Sequence, residues 1–482
     1  MSPLSSFLPS GAAGVLGAAL QRLGDARLHH GAPLPPGPPE PAVVQAFRWL
    51  QDPTRFLDSA RARYGRVFTV RLASFPPLVH LTDPEAIREL FTGPPELLHA
   101  GEANVVLKPV LGAGSLLLLD GEAHVRHRRL LLPPFHGQRM HAYGGVMREI
   151  TEREIARWPR GRAFPVMERT RAIALDVVLK TVFGLADGED LVRLHEDMAE
   201  LVALSMTSPL FLFPAAQVEL GPLTSWSRIV DRMRSIDRRL FALIDERRRE
   251  ATSGARPARD DVLSLLIEAR DEDGEPMTAQ ELRDELMTML VAGHDTVATG
   301  LAWTLHHLTE DAGALDRAYR EVDDRRAGGD GSGSGDGAQG ELPWIDAVVK
   351  EALRLIPVLP VVGRRLQTDM RLGGVDLPAG VRASPNVYLV HRDPALWAHP
   401  LQFDPARFLD AKPGPYVYFP FGGGARRCIG AAFALFEMRV VLATILRRLE
   451  IERAPGGTVR PVRHGVALAP SGGMPLVVRN RR

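Results

Sequence analysis

A single cysteine, Cys428, occurs in 482 residues, so the chain can form no internal disulfide and no multi-thiolate zinc or iron–sulfur site. A disulfide-stapled secreted scaffold is thereby excluded. Lysine is nearly as scarce. Only 4 of the 59 basic side chains are Lys, a bias that reads first as GC-rich codon usage and only second as anion recognition. Net charge is almost absent too: 59 basic groups against 58 acidic ones leave +1, which excludes a globally basic, nucleic-acid-coating protein. Long apolar runs are missing. The stretch from Gly11 to Leu20 covers 10 residues, about half of what a spanning helix needs, and no basic segment precedes it to make a signal peptide. The expectation is a cytoplasmic protein with no integral membrane span and no nucleic-acid partner.

What is present is ordinary globular composition, 45% hydrophobic and 24% charged, in a chain long enough for a large buried core. Residues 1–40 read as a flexible leader, with a Pro-rich hinge at 33–41 that can neither continue a helix nor join a sheet. Residues 41–482 read as one domain, interrupted by the Gly/Ser-rich segment 327–340, which composition marks as a flexible loop. Apolar periodicity places helices near 53–64, 83–92, 121–132, 140–157, 167–183, 189–206, 224–250, 260–270, 279–310, 312–326 and 343–355. Strand-like runs lie at 67–72, 78–82, 371–377 and 381–390, and again near the C-terminus. The fold class is mainly α with a minor β-sheet region. No internal repeat is evident. His29, His30, His306 and His307 lack ligand spacing, so a zinc site is not expected.

Residues 421–430 run Phe-Gly-Gly-Gly-Ala-Arg-Arg-Cys-Ile-Gly, followed by a helical pattern from Ala431 to Leu449. Consecutive glycines let backbone pass close to a bulky planar group. Cys428 then falls at a helix start, where unpaired N–H groups and the positive dipole end are expected to lower a thiol pKa. A thiolate with no cysteine partner, beside flat apolar space, suits an axial ligand to haem iron. With Phe421, Gly422, Gly424, Arg426, Cys428 and Gly430 in place, the loop resembles the haem-binding signature of the cytochrome P450 family. The likeness extends over about residues 34–478. It implies the cytochrome P450 fold, with a long central helix over haem b (iron protoporphyrin IX) and Cys428 as the iron's protein ligand.

Further motifs carry the resemblance residue by residue. Thr278 and Glu281 form a capping box opening the 279–310 helix, which contains Ala292, Gly293, His294, Asp295 and Thr296. In the family this stretch lies over the haem, where a local opening at the glycine makes room for dioxygen. There Thr296 and Asp295 are implied to deliver protons. Val297 stands where the family often has a second hydroxyl residue. His294 is expected on the helix's other side, without a role. Glu351 and Arg354, joined by Arg407 of the Phe403–Phe408 segment, match a structural ion network. His124 and Arg128, one turn apart, match the propionate-binding helix, and Arg364 and Arg426 match two further propionate ligands. Ala292, Phe421, Gly422 and Gly430 are expected to line the haem.

The implied reaction is insertion of one oxygen atom of O2 into a C–H or C=C bond. No G-x-G-x-x-G nucleotide site and no ferredoxin cysteines occur in the chain, so electrons must come from a separate ferredoxin or flavodoxin. The expected docking surface for this donor is basic, with Arg126, Arg129, Arg427 and Arg439 as candidates. The substrate-contacting regions of the family map to about 96–117, 200–215, 288–296, 357–363 and 468–474. They supply Leu107, Val110, Leu111, Leu201, Leu204, Met206, Leu210, Phe211, Leu290, Val291, Val358, Leu359, Val361, Val362 and Met474. No charged anchor stands out, which points to a fatty acid, terpenoid or polyketide, acted on by a monomer. A peroxygenase or haem isomerase of the same fold is the alternative, and loss of the Asp295–Thr296 pair would favour it. A cofactor-free cysteine hydrolase, the more distant rival, needs a catalytic His near Cys428.

Overall fold

The 32-residue helix Ala279–Glu310 is buried on nearly every face, its apolar residues in the core and its buried Arg283, Asp284, Glu285 and Asp295 among other elements. Its start is fixed by the capping box: Thr278 Oγ1 accepts from Glu281 N, and the Glu281 carboxylate accepts from Thr278 N. In the computed structural model, which describes residues 33–72, 75–135, 139–207, 225–253, 260–327 and 342–482, this central helix is the axis of the molecule. Helix Val166–Thr181 packs along it, and Thr170 Oγ1 donates to Ala298 O across the interface at 3.1 Å. The helix Ala431–Arg448, which follows the cysteine loop, lies close enough that a Cβ on Gly300 would sit 3.2 Å from the Met438 sulfur. Gly293 has the same kind of explanation, because a Cβ there would meet Val178 at 3.3 Å. The helix runs unbroken through 291–297, so this glycine serves close helix packing and no local opening is present.

Helices follow the sequence pattern closely, from Pro53–Tyr64 and Gly121–Leu131 to Pro343–Leu355. A helix at Ala42–Gln51 was not foreseen, since Pro41 and the proline run before it hid its start. The expected hinge at 33–41 is extended, yet it is docked. Pro36 O accepts from Thr69 N at 2.9 Å, Pro35 O from Thr69 Oγ1 at 2.7 Å, and Pro38 O from Gln45 Nε2 at 3.0 Å. Proline keeps its carbonyl as an acceptor while losing only its donor, so such a run can edge a sheet. Of the Gly/Ser segment 327–340 expected as a loop, Ala327 ends helix Ala312–Ala327 and residues 328–340 lie outside the described residues, as do residues 1–32 of the leader.

The principal sheet has five strands in the order Val67–Val70, Leu78–Leu81, Arg382–Pro385, Arg364–Leu366 and Leu98–His99. Leu78–Leu81 and Arg382–Pro385 pair parallel, the others antiparallel. The run 381–390 is therefore only half strand, since Val387–Val390 is a helical turn capped by the Asn386 side chain. A hairpin of Pro461–His464 and Ala467–Pro470 turns at Gly465, where φ is +61°, and its Leu468 O accepts from Trp303 Nε1 of the central helix at 2.7 Å. Among the described residues no helix is long and apolar enough to cross a membrane.

The expected ion network is present, with Glu351 and Arg354 fully buried and Arg407 partly so. Arg354 donates Nε and Nη2 to both oxygens of Glu351 at 2.7 and 2.8 Å, and Arg407 Nε donates to Glu351 Oε1 at 3.1 Å. The remaining Arg354 donors reach the carbonyls of His391, Pro400 and Gln402, so the pair is satisfied on every side. Removing one partner leaves a buried charge uncompensated, and Arg354→Leu is expected to cost about 3–5 kcal/mol in denaturant unfolding.

Several histidines are buried as neutral rings. Burial pushes His80, His307 and His391 down to about 3. An unfolded chain binds these protons near pH 6.5, so each ring contributes stability above that pH and withdraws it as pH falls towards 3. His307 stacks on Phe403 and Trp303, and its Nε2 has no partner. The substitution His307→Phe should lessen the stability lost between pH 7.5 and 5 by about 2 kcal/mol, measured by urea unfolding at the two pH values.

Candidate active site around Cys428

The cysteine loop is built against helix Pro84–Thr92. A Cβ on Gly423 would lie 2.3 Å from the Phe91 ring, and one on Gly424 1.9 Å from Phe91 O. Two of the three glycines thus answer to Phe91. Only Gly422, with φ +68°, and Gly430 open onto free space, with nothing within 4 Å of an added Cβ. The turn is closed by Cys428 N donating to Phe421 O at 3.0 Å. Helix Ala431–Arg448 begins after Gly430, so Cys428 lies two residues before its cap.

The Cys428 side chain is exposed to the space that Gly422 and Gly430 leave open. Its thiol is pushed up, contrary to the expectation from its place before a helix. The protein walls around that open space desolvate the thiol, and this outweighs the Gly430 N–H and the nearby charges of Arg128 and Arg427. The protein alone does not hold a thiolate there. A coordinated metal ion does, because it displaces the proton outright.

Around the thiol stands an excess of positive charge. His124 and Arg128 come from helix Gly121–Leu131, Arg364 from the sheet, and Arg426 from the cysteine loop itself. Burial together with Arg426, Arg128 and Arg364 drives His124 down to about 3, so it stays neutral. Burial and the neighbouring Arg426 lower Arg364 to about 10, and burial and Arg128 do the same to Arg426. Asp120 is the one acid acting on Arg364 and Arg426. It receives Arg426, whose guanidinium also reaches Leu116 O at 3.1 Å and Leu119 O, and its oxygens accept from Gly101 N and Glu102 N at 2.9 and 3.1 Å. Asp120, which sequence reasoning passed over as part of a run, therefore fixes the direction of Arg426. Nearby, His99, Glu102 and Asp120 form a polar cluster, but Gln367 and Arg365 already occupy the Glu102 carboxylate.

A group with two carboxylates and a flat apolar body fits these residues: the surplus of desolvated cations lacks anions, the two open glycines lack contacts, and the thiol faces the same space. Haem meets each requirement. Ala292 and Thr296 are half-buried, and Thr296 Oγ1 donates to Ala292 O at 2.6 Å. Asp295 is buried, its Oδ1 held by Arg171 Nε at 2.8 Å. His294 is fully enclosed and contacts Leu290 O, so it does face away as expected.

The expected apolar lining divides in two. Val110, Leu111, Leu201, Leu290 and Met474 are sealed in the core, with at most 5% exposure, so none borders open space. Val358 is also buried, whereas Leu107, Leu204, Val291, Leu359, Val361 and Val362 keep partial exposure. Leu210 and Phe211 lie outside the described residues, and so does the side chain of Met206.

Comparison with known proteins follows this geometry. The family model described as Cytochrome P450 matches residues 35–477. A Mycobacterium tuberculosis protein named cytochrome P450 135B1 is 42% identical over 449 residues, covering 93% of this chain and 92% of its own. One from Mycobacterium bovis named cytochrome P450 138 is 35% identical, with 93% and 97% covered. Among solved structures, the cytochrome P450DA haem domain superposes with a TM-score of 0.80 at 26% identity, covering 94% of this chain and 98% of its own. A cyanobacterial CYP120A1 solved with retinoic acid gives 0.79 at 23%, with 93% and 100% covered, a likeness of fold.

Two substitutions test the fit. Cys428→Ser should abolish the red-shifted Soret band of the reduced carbon monoxide complex. Arg364→Leu should keep that band but release haem several-fold faster to an apo-globin acceptor.

Proposed function

The chain belongs to the cytochrome P450 family and is a haem monooxygenase; on that premise we propose that it oxidises an apolar small molecule at a site held by Cys428, Thr296 and Asp295, with haem b as the cofactor. The observation that carries the site reading is the surplus of buried cations around a lone thiol. When bound, haem supplies reductive activation of O2 and transfer of one oxygen atom to substrate. Two electrons and two protons enter for each turnover, and the second oxygen atom leaves as water.

The protein's part is positioning and proton supply. Cys428 would ligate the haem iron. Arg128, Arg364, Arg426 and neutral His124 would take the two propionates, the arginines by charge and the imidazole by hydrogen bonding. Thr296 stands half-buried on the unbroken central helix with its hydroxyl parked on Ala292 O. That bond uses the hydroxyl proton and leaves both oxygen lone pairs free, so rotation about one side-chain bond turns a parked donor into a working one. Asp295, on the next position, points about a quarter-turn away and supplies the proton that Thr296 passes on.

The partly exposed residues Val291, Leu359 and Val361 favour a hydrophobic substrate such as a fatty acid, terpenoid or polyketide. For the electron donor, three of the four arginines expected to form the docking surface are engaged elsewhere. Arg126 pairs with Asp271 and Glu281, Arg129 with Glu272, and Arg439 with Asp346. Arg427, exposed beside Cys428, has no acidic partner among the described residues and is the one that best supports ferredoxin docking.

A spectral-shift screen of lipids, terpenoids and polyketides should give hits among these and none among charged polar compounds. With a hit as substrate, Thr296→Ala should slow product formation by on the order of 10²-fold and divert electrons to hydrogen peroxide. Arg427→Glu should slow reduction by ferredoxin, and the wild-type rate should fall as ionic strength rises.

A further inference from the structure

Asp295 is not free beside Thr296. Arg171, from helix Val166–Thr181, donates Nε to Asp295 Oδ1 at 2.8 Å, and its Nη2 lies 2.7 Å from His464 Nε2. His464 closes the strand Pro461–His464 at the hairpin turn, and its Nε2 is 3.8 Å from Asp295 Oδ2. Three elements distant in sequence thus meet in a triangle. A guanidinium only donates hydrogen bonds, so His464 Nε2 must accept. The ring is therefore neutral, with its proton on Nδ1. Asp295 is sealed at one corner, while Arg171 and His464 reach outward, with 29% and 14% of their side chains exposed.

The groups facing His464 are Asp295 and His294 on the central helix, Arg171, and Arg463 on its own strand. Burial, the two arginines and His294 favour the neutral ring, and Asp295 favours the charged one.

We propose that His464 is a positioning residue that controls when Asp295 becomes available for proton delivery. As a neutral acceptor it braces Arg171, and Arg171 holds the carboxylate away from Thr296. When a proton from solvent enters at Nε2, the acceptor lone pair is lost and imidazolium and guanidinium repel each other. Asp295 Oδ2 then accepts the new Nε2–H and takes that proton, leaving a protonated carboxyl free of Arg171 and returning His464 to its Nδ1–H form. This rests on the reading of Asp295 and Thr296 as the proton route.

The test begins with imidazole ¹⁵N resonances of histidine-labelled protein, His464 being assigned from its loss in His464→Gln. The expected signal at pH 7.5 is the neutral Nδ1–H tautomer, titrating below an ordinary histidine. Arg171→Gln should raise that midpoint and Asp295→Asn should lower it further. An Nε2–H tautomer, or a midpoint that neither variant moves, overturns the proposal. In turnover, His464→Gln keeps an acceptor for Arg171 but cannot carry the proton. It should leave KM unchanged, lower kcat about three- to tenfold, less than loss of a direct donor, and flatten the pH profile between 5.5 and 8. An unaltered profile overturns the proposal. If Asp295→Asn and Thr296→Ala both leave turnover intact while the resonances behave as expected, the proton-route reading has failed and the triangle has not.

Discussion

Uncompensated positive charge in a buried place is the constraint from which the rest of the molecule follows. Arg128 stands beside Cys428, and Arg364 and Arg426 crowd with it around the neutral ring of His124, with Asp120 as the one carboxylate acting on Arg364 and Arg426. Taking even a paired ion out of water costs several kcal/mol, and like charges crowded together cost more. A fold carries such a cluster only when a binding partner offsets it, and a porphyrin with two propionates would do so while its flat body filled the space beside Gly422 and Gly430. The three arginines and the neutral His124 come from a helix, a strand and the cysteine loop itself. Those elements must be held in register before the cofactor arrives.

That rigidity has visible sources. The sheet fixes Arg364 through its pairing with Ala383. Asp120 fixes Arg426 and also satisfies two backbone donors of the segment that precedes helix Gly121–Leu131. Glu351, Arg354 and Arg407 tie helix Pro343–Leu355 to the segment ahead of the cysteine loop, using five carbonyl and carboxylate acceptors for one guanidinium. The apolar core supplies cohesion, and these polar clamps supply direction.

Legibility from sequence divided along the same line. Features written in consecutive residues were readable: the central helix to its terminal residues, the cysteine loop, and the Glu351–Arg354 pair. Features that depend on what packs across a gap were not. The glycine triplet reads as clearance for a flat ligand, but Phe91, more than 300 positions away, explains Gly423 and Gly424. Gly293 reads as an opening, and Val178 explains it. A thiol before a helix reads as acidic, and burial reverses the sign. Exposed arginines read as a docking patch, and acids from other segments neutralise three of them. The apolar lining erred for the same reason, since periodicity separates inside from outside but not core from cavity wall.

The contrast between Thr296 and Asp295 shows what the packing adds to a motif. Adjacent on one helix, they point in different directions, so a proton cannot pass between them unless a side chain moves. Thr296 moves by one bond rotation, opposed by a single hydrogen bond to Ala292 O. Asp295 is held by a charge-assisted bond to Arg171, roughly twice as strong as a neutral one, inside a low-dielectric corner. Of the two movements the second is therefore the slower. On the proposed proton route, delivery would then be set by whatever loosens Arg171. Because Arg171 touches His464 on a surface hairpin, that control lies outside the central helix, in a segment that no motif marks.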